Sequence, residues 1–180
     1  MKVTTMFRRV LSLIGVGVLA IGLALPAGAE SGGGPAPVRG AAPSNDAFNQ
    51  ALVVHLGDYH GLSNEGATKQ QGERNHAGNR GGASVWFKIT PHRSGRLYIN
   101  TRGSDFDTLL AVYRGGRLST LTRVASNDDI DAGHRDSRVR FRAVSGVTYR
   151  IAVDGYCYGG TPSAICPSEG SIALHLGWLT

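Results

Sequence analysis

The 180-residue chain has few charged residues and only two cysteines, and each scarcity excludes a class of protein. Charged residues make up 18% of the chain and 26 residues are glycine, whereas a helical bundle or coiled coil would be rich in Ala, Glu, Lys and Leu. The cysteines have no CxxC spacing, and no HExxH or GxSxG motif is present, so no zinc, redox, protease or esterase centre is recognisable. These absences favour a turn-rich β protein that is not an enzyme.

The longest apolar run lies near the N terminus and has the layout of a secretory signal peptide. A short basic start precedes the uncharged residues 10–25, and residues 26–29 (PAGA) supply the small side chains that signal peptidase requires. An uncleaved membrane anchor is the alternative, but about 16 apolar residues are fewer than the roughly 20 that span a bilayer. We therefore expect residues 1–29 to be removed, leaving a secreted protein without a membrane attachment.

The segment that follows the signal has the composition of a linker. Residues 30–43 read ESGGGPAPVRGAAP, with one long aliphatic side chain, and cannot offset the entropy cost of ordering. We interpret residues 30–43 as a flexible linker and residues 44–180 as one domain, because about 150 residues form one ordinary core. Signal cleavage removes three of the 19 basic residues and no acidic one, so the formal net charge falls from +6 to +3. So small a charge does not indicate a nucleic-acid partner.

Beyond residue 44, apolar residues alternate with polar ones in short segments bounded by turn-forming residues, a pattern typical of β-strands. Only residues 46–56 are compatible with a short helix. The segment 107–113 (DTLLAVY) is almost continuously apolar, as expected of a strand covered on both faces. Seven strands are predicted, which favours an all-β fold, an antiparallel β-sandwich of jelly-roll type. They span residues 84–90, 95–100, 107–113, 121–126, 137–144, 147–154 and 171–179.

The two cysteines lie close together in the connection between the last two predicted strands. A secreted protein retains disulfides, and a hairpin loop of this length brings Cys157 and Cys166 within bonding reach. A metal or redox pair is the alternative, but no third soft ligand lies nearby. We therefore predict a disulfide that closes a loop of about ten residues and contributes roughly 2–3 kcal/mol.

Acidic residues cluster at two turns that a hairpin would bring together. Asp105 and Asp107 precede one predicted strand, and Asn127, Asp128 and Asp129 follow the next. Oxygen ligands in flexible loops are what Ca²⁺ requires, so these five residues form a candidate metal site. The alternative is that their side chains only bond to the backbone of their own turns.

Arginines recur on one predicted strand. Arg138, Arg140 and Arg142 point outward from it. The next strand is predicted to pair with it across the turn at residues 145–146, which places Arg150 on the same outer face. Four guanidinium groups in a row can bind a polyanion, a glycan or an anionic cell wall. A solvated polar face is the alternative. The six histidines follow no catalytic spacing and are interpreted as solvated loop residues: His55, His60, His76, His92, His134 and His175.

Seven segments resemble, in order and spacing, the bacterial pre-peptidase C-terminal (PPC) domain family. This resemblance implies a β-sandwich of jelly-roll type and a non-catalytic appendage of a secreted enzyme. The Cys157–Cys166 insert departs from it, because it enlarges a loop that is usually short and glycine-rich. The segments are 45–48 (NDAF), 66–69 (GATK), 72–78 (GERNHAG), 82–87 (GASVWF), 103–113 (GSDFDTLLAVY), 125–129 (ASNDD) and 151–156 (IAVDGY).

The resemblance also implies where calcium would bind. Related modules, such as the collagen-binding segments of clostridial collagenases, bind matrix and Ca²⁺ through residues at the domain entrance. The matching positions here are Asn45, Asp46 and Glu73, a second candidate set. We therefore expect a secreted, monomeric, non-catalytic accessory domain, stabilised by Ca²⁺, whose partner is an extracellular protein, a matrix component or a cell-wall polymer.

Overall fold

The computed structural model describes residues 40–159 and 166–180. The predicted signal peptide and most of the predicted linker lie outside the described residues. No helix within them is long and apolar enough to cross a membrane. Two 3₁₀ turns, at Phe48–Gln50 and Leu118–Thr120, accompany nine strands in this part of the chain. The strands are β1 (Leu52–Val53), β2 (Gly57–Ser63), β3 (Val85–Ile89), β4 (Gly95–Asn100), β5 (Thr108–Arg114), β6 (Thr122–Asn127), β7 (Arg138–Ala143), β8 (Tyr149–Gly155) and β9 (Ser171–Trp178).

The strands form two sheets that pack face to face. The five-stranded sheet has the order β1-β3-β8-β5-β6, and the four-stranded sheet has the order β2-β9-β4-β7. Neighbouring strands are antiparallel except for β1 and β3, which are parallel. The predicted antiparallel β-sandwich is therefore confirmed, while its jelly-roll connectivity stays a prediction.

The main core lies between the two sheets and is built from the inward positions of alternating strands. On β7, for example, Val139, Phe141 and Ala143 are buried while Arg140 and Arg142 are exposed. This alternation follows from the two-residue period of a strand, and it confirms the predicted inward residues. The aliphatic and aromatic residues of the core include Val85, Phe87, Ile89, Leu97, Ile99, Leu110, Val112, Ile151, Val153, Ile172, Leu174 and Leu176.

A second apolar cluster covers the outer face of the five-stranded sheet. Trp86, Ala111 and Tyr113 point to this face, and the 3₁₀ turn at Phe48–Gln50 packs over them. The rings of Phe48 and Trp86 meet edge to face at 5.1 Å. Because β5 is covered on both sides, its apolar run is continuous, as its sequence predicted.

Several connections between consecutive strands are not hairpins. The predicted pair formed by β7 and β8 is wrong, since β7 pairs with β4 while β8 lies between β3 and β5. The connections from β3 to β4 and from β8 to β9 also pass from one sheet to the other. Alternation assigns the inward face of each strand but does not name its neighbour, and two strands facing across the core show the same pattern as two strands side by side.

The N-terminal part of the domain also differs from the prediction. Residues 46–56 contain one 3₁₀ turn and β1 rather than an α-helix, and the amide of Val54 donates a hydrogen bond to the carbonyl of Lys88 at 2.9 Å. β2 was not predicted, because its sequence GDYHGLS is polar and it lies at a sheet edge with an irregularity between Tyr59 and Leu62. Both elements are held mainly by contacts with distant strands, which the local sequence does not encode.

Candidate functional site

Three aspartates converge at one end of the β5–β6 hairpin. Asp107 directly precedes β5, and Asp128 and Asp129 directly follow β6. The register pairs Leu110 with Asn127, so the start of β5 and the end of β6 lie at the same edge. One carboxylate oxygen from each aspartate lies within 4.8 Å of the other two. We call Asp107, Asp128 and Asp129 the acidic triad.

The acidic triad carries unsatisfied charge. Asp107 is only 8% exposed. Oδ1 of Asp107 and Oδ1 of Asp128 are buried and have no hydrogen-bond partner among the described residues. Burial and the neighbouring charges of Asp129 and Asp107 raise the pKa of Asp128 to about 6. Burial also raises the pKa of Asp107, and the charge of Asp129 adds to this. A buried anionic oxygen without a donor is costly, so this arrangement is suited to a cation.

The acidic triad lines an open cleft of about 480 Å³, which Tyr156 and Tyr158, on either side of Cys157, also line. Tyr156 and Tyr158 form one wall with their rings 4.8 Å apart, and the hydroxyl of Tyr158 donates a hydrogen bond to Oδ2 of Asp107. Burial, this hydrogen bond and the charge of Asp107 raise the pKa of Tyr158 to about 12. The phenol therefore stays protonated as a donor to the carboxylate.

The other two residues of the predicted acidic site have different contacts. Oδ1 of Asp105 accepts a hydrogen bond from the amide of Ser171 at 2.7 Å. Oδ1 of Asn127 accepts from the amide of Arg138 at 2.7 Å, and its Nδ2 donates to the carbonyl of Asp129 at 2.9 Å. Both side chains are thus occupied with backbone groups, and the structure brings together three of the five predicted residues.

The second predicted set, at the domain entrance, does not form one cluster of carboxylate and amide oxygens that lack hydrogen-bond partners. Nδ2 of Asn45 donates to the carbonyl of Trp86 at 3.0 Å. The carboxylate of Asp46 accepts from the amide and hydroxyl of Thr68, at 2.6 and 2.9 Å. Glu73 belongs instead to a buried group with His76 and Asp154. The entrance residues therefore hold neighbouring loops in place.

The buried group around His76 was not predicted, and the prediction that His76 is a solvated residue is wrong. The side chains of His76 and Glu73 are 1% and 0% exposed. Nε2 of His76 lies 2.7 Å from Oε1 of Glu73, and Nδ1 lies 2.7 Å from the hydroxyl of Tyr113. The only sequence signal was the three-residue spacing of Glu73 and His76, which is too common to be informative alone.

This buried group has the features of a structural network. Both nitrogens of His76 have partners, and Oδ1 of Asp154 accepts three backbone amide hydrogen bonds, from Gly82, Ala83 and its own neighbour Gly155. Burial alone would raise the pKa of Glu73, but hydrogen bonds and the charge of His76 lower it below its usual value. Each polar atom is satisfied, as stable buried networks require.

The predicted arginine row is divided between the two sheets. Arg138, Arg140 and Arg142 lie on β7 in the four-stranded sheet, whereas Arg150 lies on β8 in the five-stranded sheet. The guanidinium of Arg150 stacks over the ring of Phe48 at 4.6 Å. The assignment of Arg150 to the same face as the other three is therefore wrong, because β7 and β8 do not pair.

The predicted disulfide is confirmed. Cys157 and Cys166 are joined, with their Cα atoms 4.4 Å apart. The guanidinium of Arg80 reaches both sulfurs, with Nε 2.9 Å from Cys157 and Nη2 3.1 Å from Cys166. The bond fixes the segment that carries Tyr156 and Tyr158 beside the acidic triad.

Comparison with known proteins returns no matching family model and no matching curated sequence. Among solved structures, the chain is similar to the pre-peptidase C-terminal domain of a collagenase from Bacillus anthracis. The match covers 71% of this chain and 94% of that domain, with 12% sequence identity and a TM-score of 0.42. The structural neighbour is thus a PPC domain, the family that the sequence segments resemble.

Proposed function

We propose that the chain is a secreted, non-catalytic accessory domain that is stabilised by Ca²⁺ bound at the acidic triad. The observation that carries the metal assignment is the pair of buried, unpartnered oxygens on Asp107 and Asp128, which converge with the carboxylate of Asp129. Carboxylate oxygens from loops are the ligands that Ca²⁺ prefers, and a softer metal would favour His or Cys. The three donors fit a hard cation.

A bound Ca²⁺ would supply positive charge at the point where three negative charges meet. It would connect the loop before β5 to the loop after β6 and favour the ionised form of Asp128. The chain itself already positions these donors: the hydroxyl of Ser137 donates to the carbonyl of Asp128, and the amide of Ile130 donates to the carbonyl of Asp136 at 2.7 Å. Such preorganisation lowers the entropy cost of binding.

The non-catalytic part of the proposal is supported by the burial of His76. The side chains of His76 and its partner Glu73 are 1% and 0% exposed, and a general base must lie within hydrogen-bond reach of a substrate. A panel of esters and peptides should therefore not be hydrolysed by the purified protein. Hydrolysis that is lost in a His76→Ala variant with an unchanged fold would contradict this part of the proposal.

Thermal unfolding tests the metal assignment. Adding excess Ca²⁺ after EDTA treatment should raise the melting temperature of the wild type, because a ligand that binds only the folded state stabilises it. Asp107→Asn should abolish the increase. Asp131→Asn is the matched control, since Asp131 is an exposed aspartate of the same loop region that lies outside the acidic triad, and it should retain the increase. An equal response to Ca²⁺ in both variants would exclude the acidic triad as the site.

A further inference from the structure

The outer face of the four-stranded sheet carries four arginines along its β4–β7 edge. Arg138, Arg140 and Arg142 project outward from β7, because the residues between them are buried. Arg96 projects from the neighbouring strand β4, whose adjacent residue Leu97 is also buried. We call Arg96, Arg138, Arg140 and Arg142 the arginine face.

The charge of the arginine face is not balanced by acidic side chains. Within residues 40–159 and 166–180, none of the four guanidinium groups takes part in an ion pair. Arg96 lies directly opposite Arg142 in the register of β4 and β7, and like charges in this position destabilise a sheet. The free protein therefore bears an electrostatic cost that an anionic ligand would relieve.

An aromatic ring lies within the same face. Tyr98 stands between Arg140 on β7 and Gly177 on β9. A Cβ added at Gly177 would lie 2.6 to 2.7 Å from Cε1, Oη and Cζ of Tyr98, so the ring packs directly over the glycine. Tyr98 nevertheless remains half-buried. It offers a rigid, flat surface with a polar tip, directly beside a guanidinium group.

We propose that the arginine face and Tyr98 bind a linear anionic polysaccharide. Outward side chains recur about every 7 Å along a strand, so the three arginines of β7 match a series of charges better than one compact anion. A guanidinium group can donate two parallel hydrogen bonds to a pair of oxygens on a carboxylate or a sulfate, and Tyr98 provides the contact for a sugar ring. Proteins that hold single-stranded nucleic acid usually stack successive bases on several aromatic rings. Strands β4 and β7 instead place a single aromatic residue, Tyr98, on this face.

This inference names a partner class for the proposed accessory domain and rests on that role, but it does not require Ca²⁺. The test therefore uses the full chain in EDTA at low salt, with fluorescent heparin as the sulfated probe and polygalacturonate as the carboxylated probe. Binding should weaken steeply as salt is added. Arg140→Ser/Arg142→Ser should weaken heparin binding roughly tenfold. The melting temperature of this double variant should be unchanged or higher, because the repulsion between Arg142 and Arg96 is removed.

A matched control removes the same charge elsewhere. Arg117→Ser/Arg123→Ser alters two exposed arginines, one on β6 and one directly before the 3₁₀ turn at Leu118–Thr120, and should change heparin binding by less than about threefold. Tyr98→Leu should weaken both polysaccharides but leave binding of inorganic polyphosphate, which has no sugar ring, unchanged. If heparin binds more tightly than polygalacturonate, the arginine face prefers sulfate groups on the polysaccharide. If polygalacturonate binds more tightly, the face prefers carboxylate groups.

Three results would overturn the inference. Equal losses in the two double variants would show that net charge alone attracts heparin. If Tyr98→Leu leaves heparin binding unchanged and single-stranded DNA or polyphosphate displaces heparin, the face is a general polyanion site or a nucleic-acid site. No heparin binding at low salt would exclude the site altogether. Because the assay contains EDTA, none of these results alters the melting-temperature test of the acidic triad.

Discussion

Replacing Asp128 by Asn should make the metal-free protein more stable, although it removes a residue of the proposed metal site. Asp128 is ionised at neutral pH in a place where burial and the charges of Asp129 and Asp107 oppose ionisation. Asparagine has the same shape without the charge. The amide also supplies a donor for the unpartnered oxygen of Asp107.

The magnitude follows from the pKa of Asp128. Its rise from 3.8 to about 6 corresponds to an upper limit of about 3 kcal/mol, at about 1.4 kcal/mol for each pKa unit. Asp128 is partly exposed to solvent, and screening at such a position reduces the effect to about 1 kcal/mol. For a domain of this size, the melting temperature in EDTA should rise by about 3–4 °C.

Calcium should reverse the order of stability. At a concentration about 100 times the dissociation constant, a ligand adds about 2.7 kcal/mol to the stability of the wild type, whereas Asp128→Asn should gain little. The assay is differential scanning fluorimetry of both proteins, first in EDTA and then in excess Ca²⁺. The two melting temperatures should cross, with Asp128→Asn higher in EDTA and the wild type higher in Ca²⁺.

The pH dependence has a defined sign. Because the pKa of Asp128 is raised in the folded state, its ionisation destabilises the fold, so the stability of the wild type in EDTA should increase as pH falls from about 7 toward 4. The apparent Ca²⁺ affinity should decrease roughly tenfold between pH 7 and pH 5, as protons compete for Asp128. If Asp128→Asn is less stable than the wild type in EDTA, or if the melting temperatures do not cross, the electrostatic reasoning is refuted.

Two further predictions concern other parts of the domain. Cys157→Ser/Cys166→Ser should lower the free energy of unfolding by roughly 2–3 kcal/mol, and dithiothreitol should lower the melting temperature of the wild type but not of this variant; equal sensitivity of both to dithiothreitol would contradict it. His76→Ala should cost about 3–5 kcal/mol in urea denaturation, because Glu73 is left as a buried charge without its partner, whereas Tyr113→Phe should cost about 1 kcal/mol. Similar costs for the two variants would show that the contact with Glu73 is unimportant.

Part of the candidate site could be predicted from local sequence. Asp107 and Asp128 flank two strands joined by a short connection, and antiparallel pairing of such strands places their ends at one edge. The sequence could not separate these residues from Asp105 and Asn127, which have the same chemistry. The separation depends on which backbone amides lie nearby, and these belong to Ser171 and Arg138, residues brought there by the fold.

The buried network around His76 could not be predicted for a related reason. Its partner Tyr113 lies on β5, 37 residues away, and the turn-rich segment that contains His76 has no periodicity from which burial can be read. His76 becomes buried because its side chain packs against Trp86 and Tyr113 on the outer face of the five-stranded sheet. Only the assembled sheet creates that covering surface.

By itself the sequence determined the fold class, the inward residues of most strands and the disulfide, because alternation and short loop closure depend on neighbouring residues. The tertiary structure alone decided which strands lie side by side. That choice placed Arg150 on one sheet and Tyr98 beside Arg140 on the other. The physical reason is that a strand's pattern specifies which side faces the core, whereas its neighbours are selected by packing and hydrogen bonding between segments far apart in the chain.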